Sequence, residues 1–249
     1  MKIDLLAILV FFSALLGTVG TAIANLKKDR KIRQRRWLKA GVFFIIVVGI
    51  TLCILLSRRS LIFLAAIIST AGFIELWYVR HSSKSFRLPP LTYLNIFLFF
   101  GWISVSFLMM ILYFSPDLTL LIFFTVFSFD AFSQVSGQLF GRHHLFPKTS
   151  PGKTYEGLLG GVIAALITCY ILTKALQIPL GALKSIIMGT IISATSLCGD
   201  YLASKYKRLH RVKDFSRLLP GQGGFLDRFD SWLFSGAILY WLKKILEIL

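Results

Sequence analysis

The sequence predicts an all-α fold, a polytopic transmembrane helical bundle of about eight helices. Three observations point to it. Hydrophobic residues make up 56% of the 249-residue chain, and charged residues only 16%. The mean hydropathy is +0.74, far above that of a soluble domain. Apolar runs of about 17–25 residues recur, each long enough to cross a hydrocarbon core as a helix.

In chain order the runs fall at about 3–25, 40–57, 61–79, 91–113, 118–139, 157–177, 184–200 and 231–248. The first is not read as a cleaved signal peptide. It lacks a basic n-region and a convincing cleavage site, and a dense basic loop follows it. Lys243 and Lys244 interrupt the last run and are expected to snorkel to the far interface. Cys53, Cys169 and Cys198 all fall in apolar runs and match no metal-site spacing, so they are read as packing residues.

The formal net charge is +17, from 28 basic and 11 acidic residues. In a soluble protein this would suggest nucleic acid. Here basic connections mark the cytoplasmic side and face anionic lipid, so no nucleic-acid partner is expected. "KKDRKIRQRRWLK" (27–39) carries eight Lys/Arg and one Asp and reads as a cytoplasmic loop. Alternation puts loops 80–90, 140–156 and 201–230 on the same side, and all are basic. The opposite side receives the short loops "SPD" and "QIPLGALK", with Arg58 and Arg59 as a mild exception. Both termini then lie outside the cytoplasm. The expected location is a bacterial inner membrane.

No repeat of solenoid length is visible. Polar content is asymmetric, however. Residues 1–115 read as an N-terminal membrane scaffold, and residues 116–249 as a catalytic region.

Three polar clusters carry that division. The first is "DAFSQVSGQLFGRHHLFPKTSPGKTYEGLLGG" (130–161). Asp130 lies inside an apolar run, which marks either a functional site or a buried structural partner. "GKT" at 152–154 resembles the end of a phosphate-binding P-loop. That motif needs a glycine five residues before Gly152, where Pro147 stands, and no β-strand is expected before it. The P-loop is rejected. Thr154 reads as a helix N-cap with Glu156 in the first turn. Free N–H groups there, with Lys148 and Lys153, would suit a phosphate.

The second cluster is "GDYLASKYKRLHRVKDFSRLLPG" (199–221). On a helix, Asp200, Ser204, Lys207 and Arg208 share one broad face. Residues 201–219 hold six Lys/Arg against one acid, Asp214. An amphipathic helix lying on anionic lipid would look similar. The third cluster is "GGFLDRFDSW" (223–232). Gly223 and Gly224 break the helix and permit close backbone approach. Asp227 and Asp230 follow at i, i+3 on one face. One acid would suffice to complement a helix dipole; two suggest more.

Together the clusters supply hard oxygen ligands and many cations on one side of the membrane. Carboxylates suit Mg²⁺, and Lys and Arg suit phosphates. This is the equipment of phosphoryl or nucleotidyl transfer. His143, His144 and His210 show no nucleophile–base arrangement, and His81 sits in a separate basic loop.

"SKYKRLHRVKDFSRLLPGQGGFLDRFDS" (204–231) resembles the signature of the phosphatidate cytidylyltransferases, or CDP-diacylglycerol synthases. The matching positions are Ser204, Lys207-Arg208, Lys213-Asp214, Gly223-Gly224, Asp227-Arg228 and Asp230. "FGRHHLFPKTSPGKTYEGLLGG" is similar to the family's upstream loop, and Glu75 in "FIELWY" matches a Glu in its early helices. The resemblance covers about residues 130–235. The chain departs from the family at Gln222, where a His is usual, and at Gln134 and Gln138, where an aromatic and an Arg are common.

The resemblance implies conversion of CTP and phosphatidate to CDP-diacylglycerol and pyrophosphate. It implies Mg²⁺ on Asp200, Asp227 and Asp230, and similar enzymes use K⁺ beside Mg²⁺. Ser204, Lys207, Arg208 and Asp214 are the implied catalytic residues. Lys153, Thr154, Lys213, Gly223 and Gly224 are the implied nucleotide- or headgroup-binding residues. Lys207→Ala is expected to weaken phosphate handling and spare the fold. Expected partners are the lipid phosphate, CTP, the bilayer and a second copy of the chain as a homodimer. The competing readings are a cytidylyltransferase for a related lipid phosphate, a CTP-dependent polyprenol kinase, a transporter or lipid-binding scaffold, and a pseudoenzyme.

Overall fold

Helices account for nearly all the regular structure in the computed structural model, which describes residues 30–82, 88–219 and 222–246. Seven helices occur among these residues: α1 (Arg30–Leu56), α2 (Arg58–Ser82), α3 (Pro90–Tyr113), α4 (Pro116–Phe140), α5 (Tyr155–Ala175), α6 (Ala182–Leu209) and α7 (Leu226–Leu246). The helix expected at 3–25 lies outside them. Five helices, α2 to α6, are long and apolar enough to cross a membrane. The polytopic all-α architecture is therefore the one read from hydropathy.

Three boundaries differ from expectation for one reason. An apolar run marks where a helix is greasy, not where it ends. The loop read at 27–39 is helical from Arg30 onward, because Arg, Lys, Gln and Leu favour helix and no Gly or Pro interrupts. For the same reason α6 runs on to Leu209 instead of stopping near 200, until Arg211 takes a left-handed φ of 56°. Helix α7 begins at Leu226, so Asp227 and Asp230 lie inside its first turns.

A feature not expected is a two-stranded antiparallel ribbon. Strand β1 (His144–Phe146) pairs with β2 (Ser150–Thr154), with His144 opposite Thr154 and Phe146 opposite Ser150. The expectation that no strand accompanies "GKT" is thus corrected: those residues end β2. The strand feeds α5 directly with no glycine-rich loop between, so rejecting a P-loop stands. Pro147 and Pro151 had masked so short a strand.

The helices meet where side chains are small. A Cβ on Gly157 would lie 2.7 Å from the Ser133 carbonyl oxygen, and one on Gly161 would lie 2.8 Å from that of Phe129. Close approach through Gly and Ser drives helix association where lipid is as apolar as the core. Gly199 does the same for α6 against α7, with Asp230 O and Phe234 Cβ each 2.8 Å from its virtual Cβ. Phe107 and Met110 of α3 pack over Gly236 of α7. Hydroxyls inside the bundle are used locally: Thr125 donates to Leu121 O at 2.7 Å and Thr173 to Cys169 O at 2.7 Å. Cys169 is buried and Cys53 half-buried, but Cys198 is exposed and does not fill the core.

The two ends of the bundle differ. At one end, Arg58 donates to Leu112 O (2.8 Å) and Phe114 O (3.2 Å), satisfying the C-terminus of α3. Lys243 reaches the same place, 4.8 Å from the Phe114 ring centre. At the other end Tyr93 bonds His210 Nε2 at 2.9 Å, with the Arg80 guanidinium 4.5 Å from the Tyr93 ring centre. The ribbon and the 210–225 segment gather at this second end.

The α4–α5 crossing yields a stability prediction. Gly161→Val should destabilise detergent-solubilised protein by about 1–3 kcal/mol through overpacking. Gly41→Ala, with nothing within 4 Å of its virtual Cβ, should leave the melting midpoint at or above the parental value. Thermal unfolding by intrinsic fluorescence reads both.

Candidate active site

Helix α6 sets the site's spine. Positions 200, 204, 207 and 208 project from one face, as helical spacing requires. Opposite them stand the first turns of α7, held close by Gly199. From the side, β2 delivers Lys153, and α4 contributes Asp130.

The most buried element is an ion pair. Lys207 Nζ donates to Asp227 Oδ1 at 2.5 Å, and the two side chains are 9% and 2% exposed. Asp227 Oδ2 accepts the Phe215 N–H at 2.9 Å and the Gly224 N–H at 2.8 Å. Both oxygens are therefore engaged. The Phe215 ring centre lies 5.1 Å from Lys207 Nζ, which closes the pair from water. Charges buried this far need both pairing and hydrogen bonds, and these have both.

A second pair lies nearer the surface. Lys153 Nζ meets Asp200 Oδ2, and Ser204 donates to Asp200 Oδ1 at 3.3 Å. Asp130, Asp200 and Asp230 interact electrostatically with one another, with Lys153 facing Asp130 and Lys207 facing Asp230. Asp230 accepts the Ser231 N–H on Oδ1 at 2.8 Å, while its buried Oδ2 has no hydrogen-bond partner. Among the described residues, no three His, Cys, Asp or Glu side chains are grouped tightly enough to hold a metal ion as they stand. The donor set nonetheless suits a hard cation: one buried carboxylate oxygen is open, and two further carboxylates face it.

The remaining expected residues surround this centre. Arg208 is exposed, donating from Nε to Thr149 O and from Nη1 to Val212 O, both at 3.0 Å. It ties the ribbon's turn to the end of α6. Thr154 is the N-cap expected of it, accepting the Gly157 N–H at 3.1 Å, so its hydroxyl serves α5. Lys213 and Asp214 are exposed on the approach to the turn. Gly223 takes a φ of 89°, and a Cβ there would lie 3.2 Å from the Asp214 Cβ. Gly224 is buried because the Glu75 carboxylate sits where its side chain would be, with Oε1 2.6 Å from the virtual Cβ. The turn itself therefore demands both glycines.

Three acids carry more than the sequence assigned them. Asp130, flagged for its apolar setting, belongs to the acidic centre. Glu75, a lone acid in α2, is 1% exposed and bonded to the 216–226 segment. The signal for both was the cost of an ionisable group in an apolar run. Glu156, read as a first-turn acid, clasps the ribbon: it meets His143 Nδ1 at 2.6 Å and accepts the Arg142 and His143 N–H groups at 3.1 and 3.3 Å. No sequence signal showed that clasp. A shallow depression of about 400 Å³ lies beside it, lined by Leu139, Phe140, Gly141, Arg142, His143 and Glu156. None of the central carboxylates lines it.

Known proteins resemble this chain in sequence. The phosphatidate cytidylyltransferase of Aquifex aeolicus is 35% identical over 169 residues, covering 68% of this chain and 62% of that protein. The phosphatidate cytidylyltransferase of Bacillus subtilis is 38% identical over 120 residues, covering 48% of this chain and 45% of that one. The uncharacterized protein YnbB of Escherichia coli is 43% identical over 108 residues, covering 43% of this chain and 36% of its own length. The aligned part thus spans less than two thirds of each relative. The description of one family fits nearly the whole sequence, from residue 3 to residue 246, and by that match the chain belongs to the Cytidylyltransferase family.

Proposed function

We propose that this chain is an integral-membrane nucleotidyltransferase that converts CTP and phosphatidate to CDP-diacylglycerol and pyrophosphate. The observation that carries the reading is the buried Lys207–Asp227 pair beside Asp200 and Asp230 at one end of an apolar bundle. Membership of the family and the names of two relatives supply the nucleotide and the lipid.

The chemistry asks little of a general base. The phosphate monoester of phosphatidate is ionised near neutral pH. One of its oxygens attacks the α-phosphorus of CTP, the bond from that phosphorus to the bridging oxygen breaks, and pyrophosphate leaves with the electron pair. The obstacle is the meeting of anions. Asp200, Asp227 and Asp230 are the residues that would hold Mg²⁺, with Asp130 facing two of them. Bound there, the ion neutralises charge on the triphosphate and the departing pyrophosphate.

The two lysines complete the argument. Without substrate, Lys153 and Lys207 neutralise Asp200 and Asp227. With a metal ion held by the aspartates, both ammonium groups would be free to bind phosphates. Ser204 donates to Asp200 and is a proposed hydrogen-bond donor to a phosphate. Arg208 keeps three N–H donors beyond those it gives to Thr149 and Val212. Lys213 and Asp214 stand at the exposed approach that a nucleotide would use.

The basic connections at this end of the bundle favour the cytoplasmic face of a bacterial inner membrane, by the positive-inside rule. CTP would enter from water, and phosphatidate laterally from the bilayer. A second copy of the chain remains a proposed partner.

Two experiments test this. With purified protein, Mg²⁺, phosphatidate and CTP labelled at either phosphorus, α-label should enter the lipid and γ-label should leave as pyrophosphate. Lipid labelled from the γ-position would instead show a kinase. Asp227→Asn should lower CDP-lipid formation by about 100-fold. Near-parental turnover would remove Asp227 from the machinery. Lys207→Ala will not spare the fold as its sequence position suggests, since it strands a buried carboxylate.

A further inference from the structure

We infer that Glu75 is a positioning residue for the active site, supplied by the N-terminal half of the chain. The inference rests on the proposed nucleotidyltransferase reading for its kinetic consequence, though not for its structural one.

Glu75 lies in α2, 1% exposed. Its carboxylate accepts three hydrogen bonds: from Ser216 Oγ at 2.5 Å, from the Phe225 N–H at 2.8 Å and from the Leu226 N–H at 2.7 Å. All three donors belong to the segment that carries the chain from α6 into α7. Two are backbone groups at the start of α7, where N–H groups lack partners within the helix. A carboxylate is a strong acceptor for them and suits that end of the helix dipole.

Asp227 holds the same segment from the other side. It accepts the N–H groups of Phe215 and Gly224, each next in sequence to a donor used by Glu75. The incoming arm, Phe215-Ser216, and the outgoing arm, Gly224-Phe225-Leu226, are therefore clamped between two carboxylates. Gly224 permits the approach, since any Cβ there would collide with Glu75. One clamp, Asp227, also carries Lys207. The other clamp is Glu75. It fixes the backbone from which Asp227 and Asp230 project. Close by, the Tyr206 hydroxyl donates to Leu76 O at 2.9 Å, so α2 grips α6 as well as α7.

Glu75→Gln keeps the shape and removes the charge. A neutral amide keeps one acceptor oxygen and puts an N–H₂ where the other oxygen accepted, so at least one donor is orphaned. The turn should loosen while the bundle stays folded.

The test pairs amide hydrogen exchange with steady-state kinetics on full-length Glu75→Gln and Glu75→Asp protein. In Glu75→Gln, exchange at 213–226 should rise about tenfold, with α3 to α5 unchanged. The kcat for CDP-lipid formation should fall about tenfold, with KM for phosphatidate within about threefold of parental. Glu75→Asp, which restores the charge on a shorter arm, should recover part of both. Parental exchange at 213–226 with parental kcat would overturn the inference. Faster exchange throughout α3 to α5 would also overturn it, by showing a general stabiliser. If the parental protein makes no CDP-lipid, the nucleotidyltransferase reading fails, and the exchange pattern still decides whether Glu75 clamps the turn.

Discussion

Gathering four carboxylates at one end of an apolar bundle, one of them buried, is the constraint on which the rest of this structure depends. Asp130, Asp200, Asp227 and Asp230 come from three helices, and none can be left charged in a poorly solvated place without compensation. Lys207 and Lys153 supply it, each bound to one carboxylate. Backbone N–H groups of Phe215 and Gly224 supply more. One buried oxygen, Asp230 Oδ2, receives nothing. On the proposed function, this acid-rich centre with one open oxygen would take a metal ion and phosphates in place of the two ammonium groups.

The fold serves that centre through close approaches. Gly199 lets α6 and α7 touch, which sets Asp200 against Asp230. Gly157 and Gly161 let α4 and α5 touch, which places Asp130 of one beside the strand that opens the other. The ribbon then lays Lys153 over Asp200, and Arg208 fastens the ribbon's turn to α6 through Thr149 O. The Lys153 and Arg208 contacts join elements that are not neighbours in sequence, so the site exists only once the bundle is packed.

Much of this was legible in the sequence, and what was not has physical causes. Hydropathy revealed the spans because lipid demands continuous apolar helix. Spacing put Asp200, Ser204, Lys207 and Arg208 on one face because a helix repeats every 3.6 residues. Thr154 as an N-cap followed from its place before a helical run. Pairing was hidden, by contrast. Nothing local says that Lys153 finds Asp200, or that Glu75 bonds a turn 150 residues away in sequence. Helix ends were misjudged at Arg30, Leu209 and Leu226 because hydropathy reports on lipid contact, while helix ends answer to Gly, Pro and left-handed residues. The ribbon was missed because its strands are only three and five residues long, with Pro151 inside the second and Pro147 in the turn between them.

On the proposed function, lysine and a divalent cation compete for one set of carboxylates. Mn²⁺ binding, read by electron paramagnetic resonance in parental protein and in Lys153→Met, tests it most directly. Removing the ammonium from Asp200 should tighten Mn²⁺ binding by about tenfold, while phosphate handling is lost. Unchanged or weaker Mn²⁺ binding in Lys153→Met would contradict the account.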